Sequence, residues 1–525
     1  MENQEATYKS LMSIEDLARL ETRDALRHIM SLVDLSFLVR RTEGLRRAIA
    51  LSEQVAKRPL TPTDDAALNY YSANAWGSLR RLTRTTPTDT WDWEQPEIEK
   101  EVIHLRLALR SEAFPGLPKE ARCAILTNLG NALNVIGRFV EALEYWDRAL
   151  DTVPSFPMAQ GNRGYSLTFY ARALYDDDHK LLLRRQARAD LGAALSAPLR
   201  DDAKKGFEEC LAQVDSLLPP AALGNRVDMH GFPLGDSDEE VRYRKWCLDN
   251  RLFVNPLNDL GPYPIAAQDV LTCPSVVVAK GAGPYYHGFF NQMKQEFVSA
   301  RYLYYEGITA TKPHYSDRDV LLYNTLDYPC YSLRVEKVKI AFRVAYSIMD
   351  KVAFFLNHYL DLWLPEKSVY LRTLWYNGDK KTRRLKPQFH GRENWPLRGL
   401  FWLSKDLYYR TDSDFGRSMD PDAEALAEIR NHLEHKYLKV HHELWPGPPP
   451  AGPAATSTWF EAMAFHVNRR EFEAKALRLL KMVRAALMYL SLCVHCEELA
   501  REKQRPAGAL VPKIPMDVWE DHWKV

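Results

Sequence analysis

The chain has 525 residues, 46% of them hydrophobic, and its 70 Lys and Arg residues nearly balance 69 Asp and Glu residues, leaving a formal net charge of +1. This length predicts about two to four domains with substantial cores. The charge balance excludes a broadly polybasic nucleic-acid binder, so any nucleic-acid contact must be a local patch. Seven scattered cysteines, no secretory signal and no apolar run near ~20 residues lead us to expect a cytoplasmic protein without a membrane span.

The N-terminal part reads as helix after helix, and residues 123–156 carry the clearest internal pattern. Leu, Gly, Ala, Trp and Pro recur there at tetratricopeptide-repeat spacing. Gly130 is expected where two antiparallel helices cross closely, with Trp146 filling the groove beside it. Gly164 repeats the glycine one ~34-residue period later. We therefore predict a tetratricopeptide-like solenoid over residues 1–222 that binds a protein or peptide trigger; ordinary helical hairpins are the alternative for the weaker copies.

Residues 223–284 are rich in turn formers and predict a folded connector with short extended pieces. The candidate ligands in this segment are Asn255, Asn258 and Asp259. We prefer the simpler explanation that these residues cap turns.

From residue 285 to 525 the pattern predicts four long helices with two large insertions, at 365–419 and 445–458. The third of these helices is expected to run from an Asp420 cap to about Lys439. Together with the N-terminal solenoid, this makes the predicted fold class all-α.

The third helix carries a dense polar group. At 100° per residue, Asn431 and His435 share one face, and Arg430, Glu434 and Tyr437 share the adjoining face. Such residues are costly to bury unless they bond to one another or line a cleft. An ordinary ion pair between Arg430 and Glu434, with His435 as a favourable helix-end cation, is the structural alternative.

The order Arg430-Asn431, three residues, then His435, in the third helix of a four-helix domain, resembles the HEPN (higher eukaryotes and prokaryotes nucleotide-binding) ribonucleases. The resemblance implies metal-independent RNA cleavage without a cofactor, in which the 2′-hydroxyl attacks the adjacent phosphate. In that reaction His435 would be the general acid or base, Arg430 would neutralise phosphate charge and Asn431 would orient the groups. It also implies a homodimer that completes the site, and a setting in bacterial toxin or phage-defence systems.

Tyr437 extends the motif to a form found in HEPN toxins of toxin–antitoxin pairs, where a partner enzyme modifies the tyrosine. The resemblance therefore implies a possible antitoxin partner, with Tyr437 as a modification site or, like Glu434, a supporting residue. A packed tyrosine is the simpler alternative.

A basic run offers a local surface for RNA. Lys380, Lys381, Arg383, Arg384 and Lys386 precede the aromatic residues Phe389 and Trp395, a mixture suited to backbone contact and base stacking. A solvated charged loop is the alternative.

Other candidate sites are weaker. Cys493 and Cys496 have zinc-like spacing, but within a continuous helix they are better explained as core residues. His432, His435, His441 and His442 lie close in sequence without a suitably spaced carboxylate pair, so no metal site is predicted. On the second helix, Asp350-Lys351 could reach the motif or form a structural ion pair. A non-catalytic RNA- or nucleotide-binding adaptor is the alternative function, and a chaperone-like scaffold is a third.

Overall fold

The computed structural model describes residues 2–14, 16–220, 228–279, 281–378, 384–407, 419–442, 463–506, 511–512 and 514–524. The protein is all-α apart from two short two-stranded sheets in these residues, which confirms the predicted fold class. No helix in the described part of the chain combines the length and apolar character needed to cross a membrane.

The N-terminal part is a helical solenoid in which successive helices pack as antiparallel hairpins. Its helices are α1 (Glu2–Met12), α2 (Thr22–Leu38), α3 (Thr42–Val55), α4 (Pro62–Thr83), α5 (Pro87–Trp91), α6 (Pro96–Arg110), α7 (Lys119–Val135), α8 (Phe139–Thr152), α9 (Pro157–Ala173), α10 (Asp177–Leu195) and α11 (Asp201–Leu217).

The close helix crossings predicted from the glycines are present. A Cβ added to Gly130 on α7 would lie 2.7 Å from Trp146 Nε1 of α8, so only a hydrogen fits there. The Trp146 indole N–H donates to Asn131 Oδ1 at 3.1 Å, which holds the ring across this crossing. A Cβ on Gly164 would similarly approach the Ala187 carbonyl oxygen to 2.8 Å.

The connector is more helical than predicted, since Ser237 caps a helix α12 (Asp238–Asp249). Its turn residues act as caps and internal partners. Asn255 Oδ1 accepts the Leu257 N–H at 2.9 Å, and Asn258 Oδ1 accepts the Phe253 N–H at 3.2 Å. Buried Asp259 pairs with Arg484. Capping and packing therefore account for all three candidate ligands.

The C-terminal part contains α13 (Tyr285–Thr309), α14 (Leu333–Tyr359), α15 (Trp395–Ser404), α16 (Ala423–His435) and α17 (Arg469–Gln504), with strands β1 (Tyr376–Asn377), β2 (Arg384–Leu385), β3 (Tyr437–His441) and β4 (Ala464–Asn468). Strand β1 pairs antiparallel with β2, and β3 pairs parallel with β4, Tyr437 opposite Ala464. Helices α13, α14, α16 and α17 correspond to the four predicted long helices.

The third long helix is shorter than predicted at both ends. Asp422 rather than Asp420 occupies its N-cap position, without a side-chain capping hydrogen bond, and the Asp420 carboxylate accepts the Asp422 N–H at 2.8 Å in the preceding turn. It ends at His435 rather than near Lys439, because residues 437–441 pair with β4 and bury Leu438 and Val440. Tyr437 is thus on a strand, and its predicted place on the helix face with Arg430 is wrong.

In the insertion predicted at 365–419, more than half of the described residues are buried. This insertion contributes α15, whose residues are buried against α17. The insertion predicted at 445–458 lies outside the described residues.

One hydrophobic core runs through both parts of the chain, from Ala73 on α4 to Val494 on α17, while a second core holds the first helices. From α6 onward, the solenoid and the C-terminal helices therefore bury their apolar side chains in the same core.

Candidate active site

A cavity of about 360 Å³ lies between α14 and α16, and the motif residues Arg430, Asn431 and His435 line it. Its lining combines two tyrosines, two arginines, a carboxylate, an amide and an imidazole with apolar side chains: Tyr346, Asp350, Tyr370, Leu371, Arg372, Leu407, Ala427, Arg430, Asn431 and His435. Asn431 and His435, which are four positions apart on one helix face, thus line the same cavity as Arg430 from the adjoining face.

Arg430 is held at the cavity wall by two contacts. Its guanidinium lies over the Tyr346 ring of α14, 5.3 Å from the ring centroid, and its Nη1 is 3.4 Å from Asn431 Oδ1. The flat face of the Arg430 guanidinium lies against the tyrosine ring, so N–H groups at the edge of the guanidinium can still donate hydrogen bonds to an anion.

Asp350 brings a carboxyl group to the same cavity from α14. Burial raises the pKa of this carboxyl, and the nearby charges of Arg430 and Arg372 act in the opposite direction. Its neighbour Lys351 points elsewhere, with Nζ 2.6 Å from Glu296 Oε2 on α13. Of this pair, Asp350 reaches the motif and Lys351 forms the structural ion pair.

The remaining polar residues of the motif helix do not line the cavity. Glu434 pairs with Arg343 of α14 (Nε–Oε1 3.7 Å) instead of Arg430. His432 is buried on the other side, with Nδ1 2.8 Å from the Glu428 carbonyl oxygen. Tyr437 on β3 places its hydroxyl 2.9 Å from that of Tyr331.

The basic run divides between surface and interior. Lys380, Lys381 and Arg383 lie outside the described residues, and Arg384 is exposed on β2. Lys386 is only 3% exposed and its ammonium donates to the Leu374 carbonyl oxygen at 2.5 Å. The prediction that Lys386 contacts RNA is therefore wrong, because its charge is turned into the protein.

The aromatic residues after this run also face inward. Phe389 stacks on Trp93 of the solenoid (centroids 5.1 Å apart), and Trp395 stacks on Phe139 (4.3 Å). These contacts are part of the shared core, so the expectation that these rings stack on RNA bases is wrong.

Two ion pairs, which the sequence pattern did not reveal, connect the solenoid to the segment before the motif helix; one is buried and the other is partly exposed. Arg106 of α6 binds Asp406, whose neighbour Leu407 lines the cavity, and also donates to the Met419 carbonyl oxygen at 2.7 Å. Arg110 of α6 donates to Asp422, the cap of α16, at 2.8 Å. Burial disfavours the charged form of Asp406, but Arg106 and Arg138 outweigh it and lower the pKa of that carboxyl.

A second cluster was also missed. Asp327, His441 and His466 bring their ligand atoms within 4.8 Å of one another. His441 drew attention only beside its sequence neighbours, whereas its actual partners lie far along the chain, Asp327 being 114 positions away.

Comparison with protein families matches residues 277–497 to the LA2681-like HEPN domain. This range contains α13, α14, α16 and the cavity-lining residues named above. No curated protein and no solved structure matches the chain.

Proposed function

We propose, from the match of residues 277–497 to the LA2681-like HEPN domain, that this protein is a metal-independent endoribonuclease of the toxin or phage-defence type. The observation that carries the proposal is the convergence of Arg430, Asn431 and His435 on one polar cavity. Family membership alone supports an RNA-related role, and the cavity adds a place where a phosphodiester can meet these three groups.

In the proposed reaction the RNA 2′-oxygen attacks the adjacent phosphorus while the bond from phosphorus to the 5′-oxygen breaks. The products are a 2′,3′-cyclic phosphate and a 5′-hydroxyl end. His435 exchanges a proton with the reacting oxygens, the general acid–base role that histidine fills most often in enzymes. Arg430 donates to the phosphoryl oxygens as charge builds on them, and Asn431 orients the phosphate or the imidazole.

Cleavage needs one group to take the 2′-proton and one to protonate the leaving 5′-oxygen. Asp350 is a candidate for the second group because it lines the cavity and burial favours its protonated form. A homodimer that brings a second copy of the motif to the first is the family's usual arrangement, and we propose it here as the active form.

RNA would reach this cavity along a positive surface. Exposed Arg384 supports the proposal that the basic run, including Lys380, Lys381 and Arg383, contacts the RNA backbone.

Regulation through the helical repeats is part of the same proposal. The contacts of Arg106 and Arg110 with Asp406, Met419 and Asp422 support it. A trigger that shifts α6 would shift the start of the motif helix and the cavity wall with it.

The test is RNA cleavage by purified full-length protein in the presence of a chelator, with analysis of the product ends. Arg430→Ala and His435→Ala should each lower the cleavage rate by about 100-fold or more. Glu424→Gln, an exposed change on the same helix, is the matched control and should cleave like the parent. Equal activity in all four proteins would place cleavage elsewhere, and no cleavage by the parent dimer would favour the adaptor function.

A further inference from the structure

Three polar side chains from separate parts of the chain meet beside the small parallel sheet. Asp327 precedes α14, His441 ends β3 and His466 lies on β4. Asp327 and His441 are buried and His466 is half-buried. Bringing two imidazoles and a carboxylate together in this way creates a set of ligand atoms of the kind that divalent transition metals prefer.

The two histidine rings are joined to each other and to the Asp327 backbone by hydrogen bonds. His441 Nδ1 lies 3.0 Å from the Asp327 carbonyl oxygen, which can only accept, so this nitrogen carries the proton of the neutral ring. His441 Nε2 therefore accepts the N–H of His466 Nδ1 at 2.8 Å, and an ion bound here would take the place of that proton and move the two nitrogens apart. A ring N–H bound to a backbone carbonyl, with the other nitrogen presented to a ligand site, is the usual setting of a metal-binding histidine.

The carboxylate of Asp327 already has partners. Lys439 Nζ donates to its Oδ2 at 2.6 Å, and the Thr325 hydroxyl donates to its Oδ1 at 2.5 Å. A dication placed here would compete with the Lys439 ammonium, because two positive charges beside one buried carboxylate repel each other. Lys439 Nζ is also 5.3 Å from the centroid of the Tyr437 ring, a second favourable contact for that charge.

We propose that Asp327, His441 and His466 bind one divalent transition-metal cation, with Zn²⁺ the best fit, in competition with Lys439 and with water as the fourth ligand. None of the three residues lines the cavity of the motif helix, so the proposal does not depend on RNA cleavage. The ion joins the segment before α14 to both strands. Because β3 begins two residues after His435, the bound ion would also stabilise the end of the motif helix.

The first experiment measures metal binding to tag-free, full-length protein that has been stripped with a chelator and dialysed against Zn²⁺ or Co²⁺. We expect about one ion per chain by elemental analysis and visible absorption of bound Co²⁺ typical of a four-coordinate site. His441→Gln and His466→Gln should each weaken binding by at least about tenfold. His442→Gln, an exposed neighbour, is the control and should bind like the parent.

The second experiment uses Lys439→Met, which removes the competing charge. If the metal site exists, this variant binds Zn²⁺ more tightly than the parent, by about tenfold, and Zn²⁺ raises its unfolding temperature. If the cluster is only an ion pair with neighbouring histidines, the variant binds no ion and Zn²⁺ leaves its unfolding temperature unchanged.

If Lys439→Met fails to fold, the proposal can still be tested by comparing Co²⁺ binding of the parent with that of a His441→Gln/His466→Gln double variant. Binding by the parent that equals binding by a His441→Gln/His466→Gln double variant overturns the proposal.

Discussion

Arg106 and Asp406, 300 positions apart, form a bidentate ion pair, with Nη1–Oδ1 and Nη2–Oδ2 distances of 2.7 and 2.9 Å. Arg138 Nη2 approaches the same carboxylate from the other side, 2.7 Å from Oδ2. The Asp406 side chain is fully buried, so water cannot replace either partner. The junction between the N-terminal solenoid and the C-terminal helices therefore depends on one carboxylate shared by two guanidinium groups.

Replacing Asp406 with Asn should strongly destabilise the protein, because it leaves the buried Arg106 guanidinium without its counter-charge and Arg138 with Glu141 as its remaining carboxylate partner. We expect the free energy of unfolding to fall by about 3–5 kcal/mol, measured by denaturant unfolding. Asp24→Asn is the control, since its pair with Arg27 is solvent-exposed, and should change the free energy by about 1 kcal/mol at most. A small effect at Asp406 would mean that the junction contributes little to stability.

The same carboxylate predicts a pH dependence. Its pKa is lowered in the folded protein, so its stabilising contribution is complete above its ordinary pKa and is lost as the pH falls through the lowered value. The stability difference between the parent and Asp406→Asn should be constant above about pH 5 and shrink below about pH 4. Unfolding curves collected across this range check it, and a difference that grows in acid would contradict the assignment.

Gly130→Ala tests the helix crossing in the solenoid. The added methyl group would lie 2.7 Å from Trp146 Nε1, and we expect a loss of about 1–3 kcal/mol in the free energy of unfolding. Gly192→Ala is the matched control, because it is also helical and its Cβ would meet nothing within 4 Å. That control should be neutral or stabilising by up to about 1 kcal/mol. Equal effects at both sites would show that the crossing tolerates a side chain.

Arg110→Ala tests the proposed coupling between the repeats and catalysis. Arg110 is partly exposed and contacts the cap of the motif helix through Asp422, so its loss should barely change stability. Cleavage should nevertheless fall at least about threefold, since small displacements of catalytic groups are costly. Arg188→Ala removes a comparable surface ion pair far from that helix, with Asp215, and should leave the cleavage rate unaltered.

Asp350→Asn separates proton transfer from RNA binding. If the carboxyl protonates the leaving oxygen, kcat should fall about 100-fold while RNA affinity stays equal, because Asn has nearly the shape and the zero charge of the protonated carboxyl but cannot give up a proton. Lys351→Gln changes the adjacent residue, whose side chain pairs with Glu296, and should keep the parental kcat. An unchanged kcat in Asp350→Asn would remove this residue from the proposed reaction.

The motif helix illustrates how far local patterns reach. The spacing predicted that Asn431 and His435 share one helix face and that Arg430 lies on the adjoining face, and all three line one cavity. The same pattern continued the helix to Lys439, where the chain instead forms β3. Helical periodicity shows only that a segment could form a helix on its own. Residues 437–441 form a strand because β4, a distant segment, supplies the backbone hydrogen-bond partners.

Lys386 and Trp395 show the same limit for surfaces. A run of charged residues with interleaved aromatics predicts an exposed strip, yet Lys386 is bonded to a carbonyl inside the protein and Trp395 packs on Phe139. Whether a segment is buried depends on what packs against it. The aromatic residues of this insertion pack against the solenoid, and such a contact between distant segments produces no periodic pattern in the sequence.

The sequence by itself determined the helical class, the close glycine crossings and the order of the motif residues, because each depends on groups a few positions apart on one helix or on adjoining helices. Only the tertiary structure decided that Tyr346 and Asp350 complete the cavity, that Asp406 joins two parts of the chain, and that Asp327 meets two histidines. Those relationships connect residues that lie far apart along the chain, and packing and charge pairing select them only once the helices have assembled.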